Sequence, residues 1–403
     1  MIVIVAEPYV GFPNGTAATS RVTAYARGLA ASGEDVHVIM LGPSELRRST
    51  AVNTEVRGVY RGIPFEYTSV STIKSSSWLT RQWRVVSSLL RARRRIRELN
   101  AQLGVDAILL YSSRMSTGAF FGRVSRSVGA IYVLSLVEMP YHHLTPGAGR
   151  DIKQERYGIR FVGRFDLVVA ISSYLAAYAT KYLSPSAELV VLPIMVDCDD
   201  YRSDDPPALA PRLVVYVGML NEKKDGVATL MTAFARVAAD FPGVNLRLVG
   251  DSDDERVSNV PEFRRRANEL GIADRVEFTG RVRRASITRH LSEASALVLA
   301  RPASQQADAG FPTKLGEYLA SGRPVIVTRT SDIAEYLSDG ENAHLIPPGD
   351  VDALVQRLRQ VLSDPEGAAA VGARGRRVAE ASFDYRVVTR VLTEALRRRR
   401  ESR

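Results

Sequence analysis

Along this chain, short apolar runs rich in β-branched residues alternate with amphipathic stretches. From Leu213 onward, Leu213–Gly218, Asn245–Asp251, Val276–Gly280, Ala296–Ala300, Pro324–Thr328 and His344–Pro347 read as strands. Between them, Val227–Asp240, Pro261–Leu270, Ala285–Ala294 and Val351–Ser363 carry their apolar residues at helical spacing. Continuous apolar strands joined by amphipathic helices predict a parallel sheet covered on both faces. The first half repeats the pattern with Ile2–Ala6, Asp35–Leu41, Val105–Tyr111, Ala130–Val137, Asp166–Ile171 and Leu189–Leu192. Residues 42–77 are less regular and richer in Ser and Thr, and no element is assigned there. The fold class expected is α/β, with two doubly wound domains facing each other across a cleft. Their boundary falls near Pro193–Pro211, where Asp204-Asp205-Pro206-Pro207 reads as a solvated linker.

Length and composition narrow this picture. At 403 residues the chain exceeds one ordinary core and suits two domains. No apolar run approaches the length of a membrane span. The opening Met1–Ala6 lacks a basic leader and ends at Glu7, so it reads as a first strand and not a signal peptide. A single cysteine, Cys198, excludes an intramolecular disulfide framework and fits a reducing cytosol. The sequon Asn14-Gly15-Thr16 is then irrelevant to glycosylation. The net charge of +10 attracts polyanions of any kind. No recognised nucleic-acid module accompanies it, so nucleic acid is not expected as a partner.

The most informative stretch is Ala309-Gly310-Phe311-Pro312-Thr313-Lys314-Leu315-Gly316-Glu317, continuing to Gly322 and Val325. It reads as a tight loop, a short helix with Pro312 at its first position, a glycine stop and a buried strand. The amides of Phe311, Thr313 and Lys314 would form an anion site at the positive end of that helix. Thr313 and Glu317, four apart, share a helix face. A phosphate at the tip would therefore have a carboxylate one turn deeper, suited to accept both hydroxyls of a ribose diol. A second phosphate candidate, Gly218-Met219-Leu220-Asn221-Glu222-Lys223-Lys224-Asp225-Gly226, follows a strand directly. A lysine pair there is commonly just solvated. Placed at the same sheet edge as residues 310–317, the phosphate reading is preferred.

In the first half, Gly11-Phe12-Pro13-Asn14-Gly15-Thr16 follows the first strand and opens a helix ending near Gly33. It matches neither a dinucleotide fingerprint nor a Walker A sequence. It is expected to bring backbone amides and a flexible lid to the cleft, or else to be an ordinary turn. Asp251-Ser252-Asp253 has Asp-x-Asp spacing but lies in a dense charge run that faces water, so no metal is assigned. Glu138 and His142, with His143, cluster after Ala130–Val137 and are candidates for acid–base or orienting groups. Residues 78–99 place Leu79, Trp83, Val86 and Leu90 at helical spacing among arginines. The preferred reading is a core-packed helix with a solvated basic face; the other is an interfacial helix on an anionic membrane surface.

These segments together resemble the retaining GT-B glycosyltransferases of family 4. The match is spread over Asn14–Arg21, Val191–Asp197, Gly218–Gly226, Val276–Arg281, Gly310–Val325 and Asp332–Asp350. The resemblance implies two Rossmann-like domains: an acceptor-side domain over 1–195 and a nucleotide-sugar domain over 196–380. It adds a helix over 381–403 that crosses back to the first domain. It implies that Lys224 and Lys223 meet the donor diphosphate together with Thr313 and the amides of 310–313. Glu317 would hold the ribose, and backbone near Thr279–Arg281 would flank the base. Gly15, Thr16 and Gly218 would bring backbone close to the ligand, and Lys314 completes the expected set. No metal and no cofactor is implied beyond a UDP- or GDP-linked sugar, with a glycan, a lipid-linked molecule or a small molecule as acceptor. The expected location is cytoplasmic, extending to the inner face of the plasma membrane. Two departures stand out. Ala309 occupies the position of the family's first glutamate, with Asp308 beside it as the candidate substitute. Met219 stands where arginine is usual. A non-catalytic partner subunit and a nucleotide-sugar epimerase are the alternatives these departures leave open.

Overall fold

All twelve apolar runs are strands, most of them trimmed at their ends. A computed structural model describes residues 1–45, 51–202, 213–251 and 258–403. The described chain divides into two units, Met1–Met195 with Tyr385–Arg403, and Val196–Asp384. The candidate linker residues 204–207 lie outside the described residues.

In the first unit, β1 (Ile2–Ala6), β2 (Val36–Met40), β3 (Arg57–Tyr60), β4 (Ile63–Tyr67), β5 (Ala107–Tyr111), β6 (Ile131–Leu136), β7 (Leu167–Ala170) and β8 (Glu188–Val191) form one sheet. Its order is β3-β4-β2-β1-β5-β6-β7-β8, parallel throughout except for the β3–β4 hairpin. Every residue of β1, β2, β5 and β6 is buried, as expected of strands covered on both faces. The hairpin falls in the unassigned 42–77 stretch. Its two-residue turn, Arg61-Gly62, has φ of 50° and 82°, the left-handed pair that matches strand twist.

In the second unit, β9 (Leu213–Val217), β10 (Asn245–Val249), β11 (Val276–Gly280), β12 (Ala296–Leu299), β13 (Val325–Thr328) and β14 (His344–Ile346) form an all-parallel sheet. Its order is β11-β10-β9-β12-β13-β14. Strand order therefore reverses between β9 and β12 here, and between β1 and β5 in the first unit. Ligands of doubly wound sheets bind at the carboxyl ends beside such reversals.

The helix Tyr385–Glu401 belongs to the first unit and packs on the helix Ala17–Ala31. The Arg27 guanidinium lies 4.5 Å from the Tyr385 ring centroid, and Arg400 holds Glu34 at 2.7 and 2.8 Å. Val388, Leu392 and Leu396 are buried in the core of that unit.

One expectation is overturned. The helix Trp78–Leu103 does not bury the apolar positions 79, 83, 86 and 90. Leu79 is 70% exposed and Trp83 67%, with Trp78, Val86 and Leu90 also exposed. Its buried residues are Ser87, Ser88, Ala92, Ile96 and Leu99. The reason is close approach: Ser88 bonds to the Leu41 carbonyl, and its hydroxyl lies 2.6 Å from that of Thr68. Small residues fill that contact, so the large apolar side chains of positions 78–90 face outward, while Ile96 and Leu99 further along the helix are buried. Among the described residues, no helix is long and apolar enough to cross a membrane.

Candidate functional site

At the reversal in the second unit, β9 runs into a glycine turn and β12 into two short helices, Gln305–Ala309 and Thr313–Ala320. Two hydrogen-bonded ties draw these elements together. Tyr318 accepts the Val217 amide at 2.7 Å, fastening the second helix to the end of β9. Lys314 Nζ donates to Asp225 Oδ2 at 2.5 Å and to the Tyr216 hydroxyl at 2.9 Å. That hydroxyl lies 2.7 Å from the Met219 carbonyl and 2.8 Å from Asp225 Oδ2, and its single proton serves one of them. Gly218 has φ of +155°, and a Cβ there would lie 2.3 Å from Lys314 Nζ. The turn after β9 is thus a glycine turn because the lysine lies directly against it.

The group of Lys314 expected at the ligand is its backbone amide; its ammonium is held by Asp225. Burial pushes Lys314 below the ordinary lysine range, against the pull of Asp225. Burial also raises Asp225, but the charge and hydrogen bond of Lys314 and the bond from Tyr216 outweigh it and hold the carboxyl below its ordinary range. Only the backbone of Lys314 remains for an anion at the helix tip.

The helix containing Glu317 begins one residue later than expected, at Thr313, with Pro312 extended at the N-cap. Thr313 and Lys314 are its first two residues, whose amides no residue of the helix can accept. Phe311 is buried, its ring 5.7 Å from that of Tyr336 and 5.6 Å from that of Phe383, so its side chain serves packing. Gly310 closes the preceding helix, its amide donating to Gln306. That helix turns Ala309 into the core and Asp308 toward solvent, so Asp308 does not point where a side chain at 309 points.

Lys223 and Lys224 are exposed on the single turn Glu222–Asp225, which Asn221 caps by accepting the Lys224 amide at 3.0 Å. Arg281 is exposed after β11, beside Thr279 and Gly280. Glu317 is mostly buried and engaged: Arg284 approaches to 3.6 Å and Tyr201 donates a hydrogen bond. Burial first, and then the Glu317 charge, pushes the Tyr201 phenol well above its ordinary range. Sequence reasoning did not find Asp225, Tyr216, Tyr201 or Arg284. Asp225 sits in the lysine-rich turn, but its partner is 89 residues away and no local spacing signals it.

The remaining candidates lie in the first unit. Gly15 has no room for a side chain: a Cβ would lie 2.3 Å from the Val10 carbonyl. Thr16 is the extended N-cap of Ala17–Ala31. The loop expected as a flexible lid is hydrogen-bonded within the first unit. Asn53 accepts the Asn14 amide at 2.9 Å and donates to the carbonyls of Gly11 and Asn14, while Tyr67 donates to the Phe12 carbonyl at 2.5 Å. Glu138 is exposed after β6. His142 Nδ1 lies 2.9 Å from the Met139 carbonyl, an acceptor, so Nδ1 donates there and Nε2 is the ring nitrogen left for another partner. The charge run at 251–255 falls outside the described residues except Asp251. Among the described residues, no three His, Cys, Asp or Glu side chains are grouped to hold a metal.

Residues 16–194 match the family model described as "Glycosyl transferase 4-like domain", and residues 211–364 match "Glycosyl transferases group 1". The chain is 30% identical over 263 residues to a GDP-mannose-dependent alpha-(1-6)-phosphatidylinositol monomannoside mannosyltransferase of Mycolicibacterium smegmatis. That match covers 62% of this chain and 66% of the relative, just under two thirds of its length. Among solved structures, sucrose-phosphate synthase from Thermosynechococcus elongatus superposes with a TM-score of 0.75 at 18% identity, covering 100% of this chain and 99% of the other. The Anabaena protein HepE in complex with UDP-glucose gives 0.71 at 18% identity, covering 98% of each chain. Identities this low establish the fold: two Rossmann-like α/β domains with parallel sheets, the GT-B class.

Proposed function

From the premise that the chain pairs a glycosyl transferase 4-like domain with a group 1 domain, we propose that it transfers a sugar from a nucleotide-diphosphate donor to an acceptor hydroxyl, with retention at the anomeric carbon. The observation that carries this reading is the convergence, at one strand-order reversal, of the Gly218 turn, the tip of the Thr313–Ala320 helix and Glu317. The diphosphate would lie against the amides of 310–313 and the ammonium groups of Lys223 and Lys224. Glu317 would exchange Arg284 and Tyr201 for the ribose hydroxyls.

In the reaction, the acceptor oxygen bonds to the anomeric carbon as the bond from that carbon to the diphosphate oxygen breaks. The diphosphate departs with the electron pair, and the acceptor proton passes to it. Preorganised amides and ammonium groups stabilise the charge developing on the leaving group, the kind of term that usually dominates catalysis. Glu138 and His142 Nε2 are the candidate orienting groups on the acceptor side. The role belongs to cell-envelope glycan assembly, in line with the lipid-linked substrate named for the mycobacterial relative. The exposed Trp78, Leu79 and Trp83, with Arg81 among them, would seat the protein on the anionic inner face of a membrane.

Thermal unfolding against UDP-, GDP-, ADP-, dTDP- and CMP-linked sugars tests the donor site. Donor at about a hundred times its dissociation constant adds roughly 2.7 kcal/mol, raising the midpoint by several degrees. A shift with one nucleotide class that Glu317→Ala abolishes supports the reading. No shift with any donor favours the second reading, a non-catalytic partner subunit, whose specific support is Met219 and buried Ala309 in place of a cation and a carboxylate. NMR analysis of product anomers decides retention, and inversion would sink that part.

A further inference from the structure

On the chain leaving β9, Met219 stands where arginine is usual, and its side chain is half exposed and uncharged. The strand beside β9 brings an arginine to the same edge. β12 pairs with β9 in parallel, Ala296 with Val214 and Leu297 with Val215. Carried two residues past each strand end, that register sets Arg301 level with Met219. Arg301 is 3% exposed, and its Nε donates to the Lys224 carbonyl at 3.3 Å. That carbonyl needs a partner from outside its own turn. Glu222–Asp225 is a single turn, and the Ala228 amide, four residues beyond Lys224, goes to Glu222 Oε2 at 2.5 Å. The turn also lies directly on the end of β12, where a Cβ on Gly226 would overlap the Ala300 carbonyl. Lys314, the other lysine at this edge, is held by Asp225.

We propose that Arg301 is a positioning residue of the donor site, which holds a diphosphate without an arginine at 219 because the neighbouring strand supplies the charge. The proposal rests on the reading of this edge as the donor site. A guanidinium keeps its charge at every pH at which the fold exists. Burial leaves that charge less screened than an exposed one would be. Being buried, Arg301 acts on the ligand through Lys224 and through its field, not by contact. Its bond to the Lys224 carbonyl fixes the backbone from which that ammonium extends. Less freedom is then left to lose when the lysine meets a phosphate, and preorganisation of this kind raises affinity. The same bond places fixed positive charge directly behind the turn that carries Lys223 and Lys224, where it favours an anion in front of them. An uncharged residue at 219 therefore does not leave this edge short of a cation.

The test is titration calorimetry of the full chain with UDP, GDP, UMP and GMP. The wild type is expected to bind one diphosphate more tightly than the matching monophosphate. Arg301→Gln keeps an N–H donor but loses the charge. It should weaken that diphosphate about ten-fold and the monophosphate much less. Arg301→Lys keeps the charge and should stay within about three-fold of the wild type. Adding Met219→Arg to Arg301→Gln returns a cation from the other strand and should recover most of the loss, which a purely structural role at 301 would not allow. Unchanged diphosphate affinity in Arg301→Gln overturns the proposal. So does an equal loss of both phosphates, or no recovery in the double variant. Should Arg301→Gln lose its cooperative thermal unfolding, Arg301→Lys decides, and a loss of about ten-fold there overturns the proposal. A wild type that binds none of the four nucleotides counts against the donor reading and takes the proposal with it. Binding that ignores Arg301 overturns the proposal alone and leaves the donor reading standing.

Discussion

Lys314 and Asp225 show why residue type alone misleads about role. A lysine in the first turn of a helix whose tip suits an anion looks like a phosphate ligand, yet here it neutralises a carboxylate 89 residues earlier. Removing one partner of a buried pair strands the other charge. Asp225→Asn should therefore cost about 3–5 kcal/mol in urea unfolding, and the double variant Lys314→Met with Asp225→Asn should recover most of it. The same pair sets an acid limit. Because the Asp225 carboxyl lies below its ordinary range in the fold, its contribution is full above the ordinary carboxyl range. It is lost as pH falls through the lowered folded value. Unfolding followed against pH should show this acid-side loss in the wild type and a smaller one in the double variant. Glu317, by contrast, keeps its expected role as a proposal. Glu317→Ala should weaken donor nucleotide binding by about 2–4 kcal/mol in calorimetry, and unchanged affinity would exclude it as the ribose partner.

At the scale of elements, the strands were legible because burial on both faces leaves a continuous apolar signature, clearest in β1, β5 and β9. The β3–β4 hairpin was not, because β3 is an exposed edge and β4 alternates through Pro64 and Glu66. The helix Trp78–Leu103 was read correctly as a helix but turned the wrong way. Over positions 78–90 its apolar period marks the outward face and serines make the inward contact, whereas Ile96 and Leu99 are buried. The helix Thr313–Ala320 was legible to within one residue. The ties that position it, Tyr318 to Val217 and Lys314 to Asp225, span 101 and 89 residues and have no local signature. The outward Trp78–Leu103 face predicts binding to anionic vesicles in co-sedimentation, reduced several-fold by Trp78→Ala with Trp83→Ala. Equal recovery with neutral and anionic vesicles would contradict it.

Across the whole molecule, both units use one device: a largely parallel sheet whose strand order reverses in its interior. The first unit is discontinuous, built from Met1–Met195 and Tyr385–Arg403. Deleting residues 385–403 should uncover the apolar surface that Val388, Leu392 and Leu396 cover. Increased dye binding and rapid proteolysis of the first unit, with the second left resistant, are the expected outcome. Cleavage at wild-type rates would contradict it. That discontinuity also sets an order of events during synthesis. Domains generally fold as they emerge from the ribosome, the earlier one first. Here the earlier sheet lacks its closing helix until residues 385–401 have been translated, so the half made first is the half finished last, and a chain halted early never completes the unit carrying the outward tryptophans.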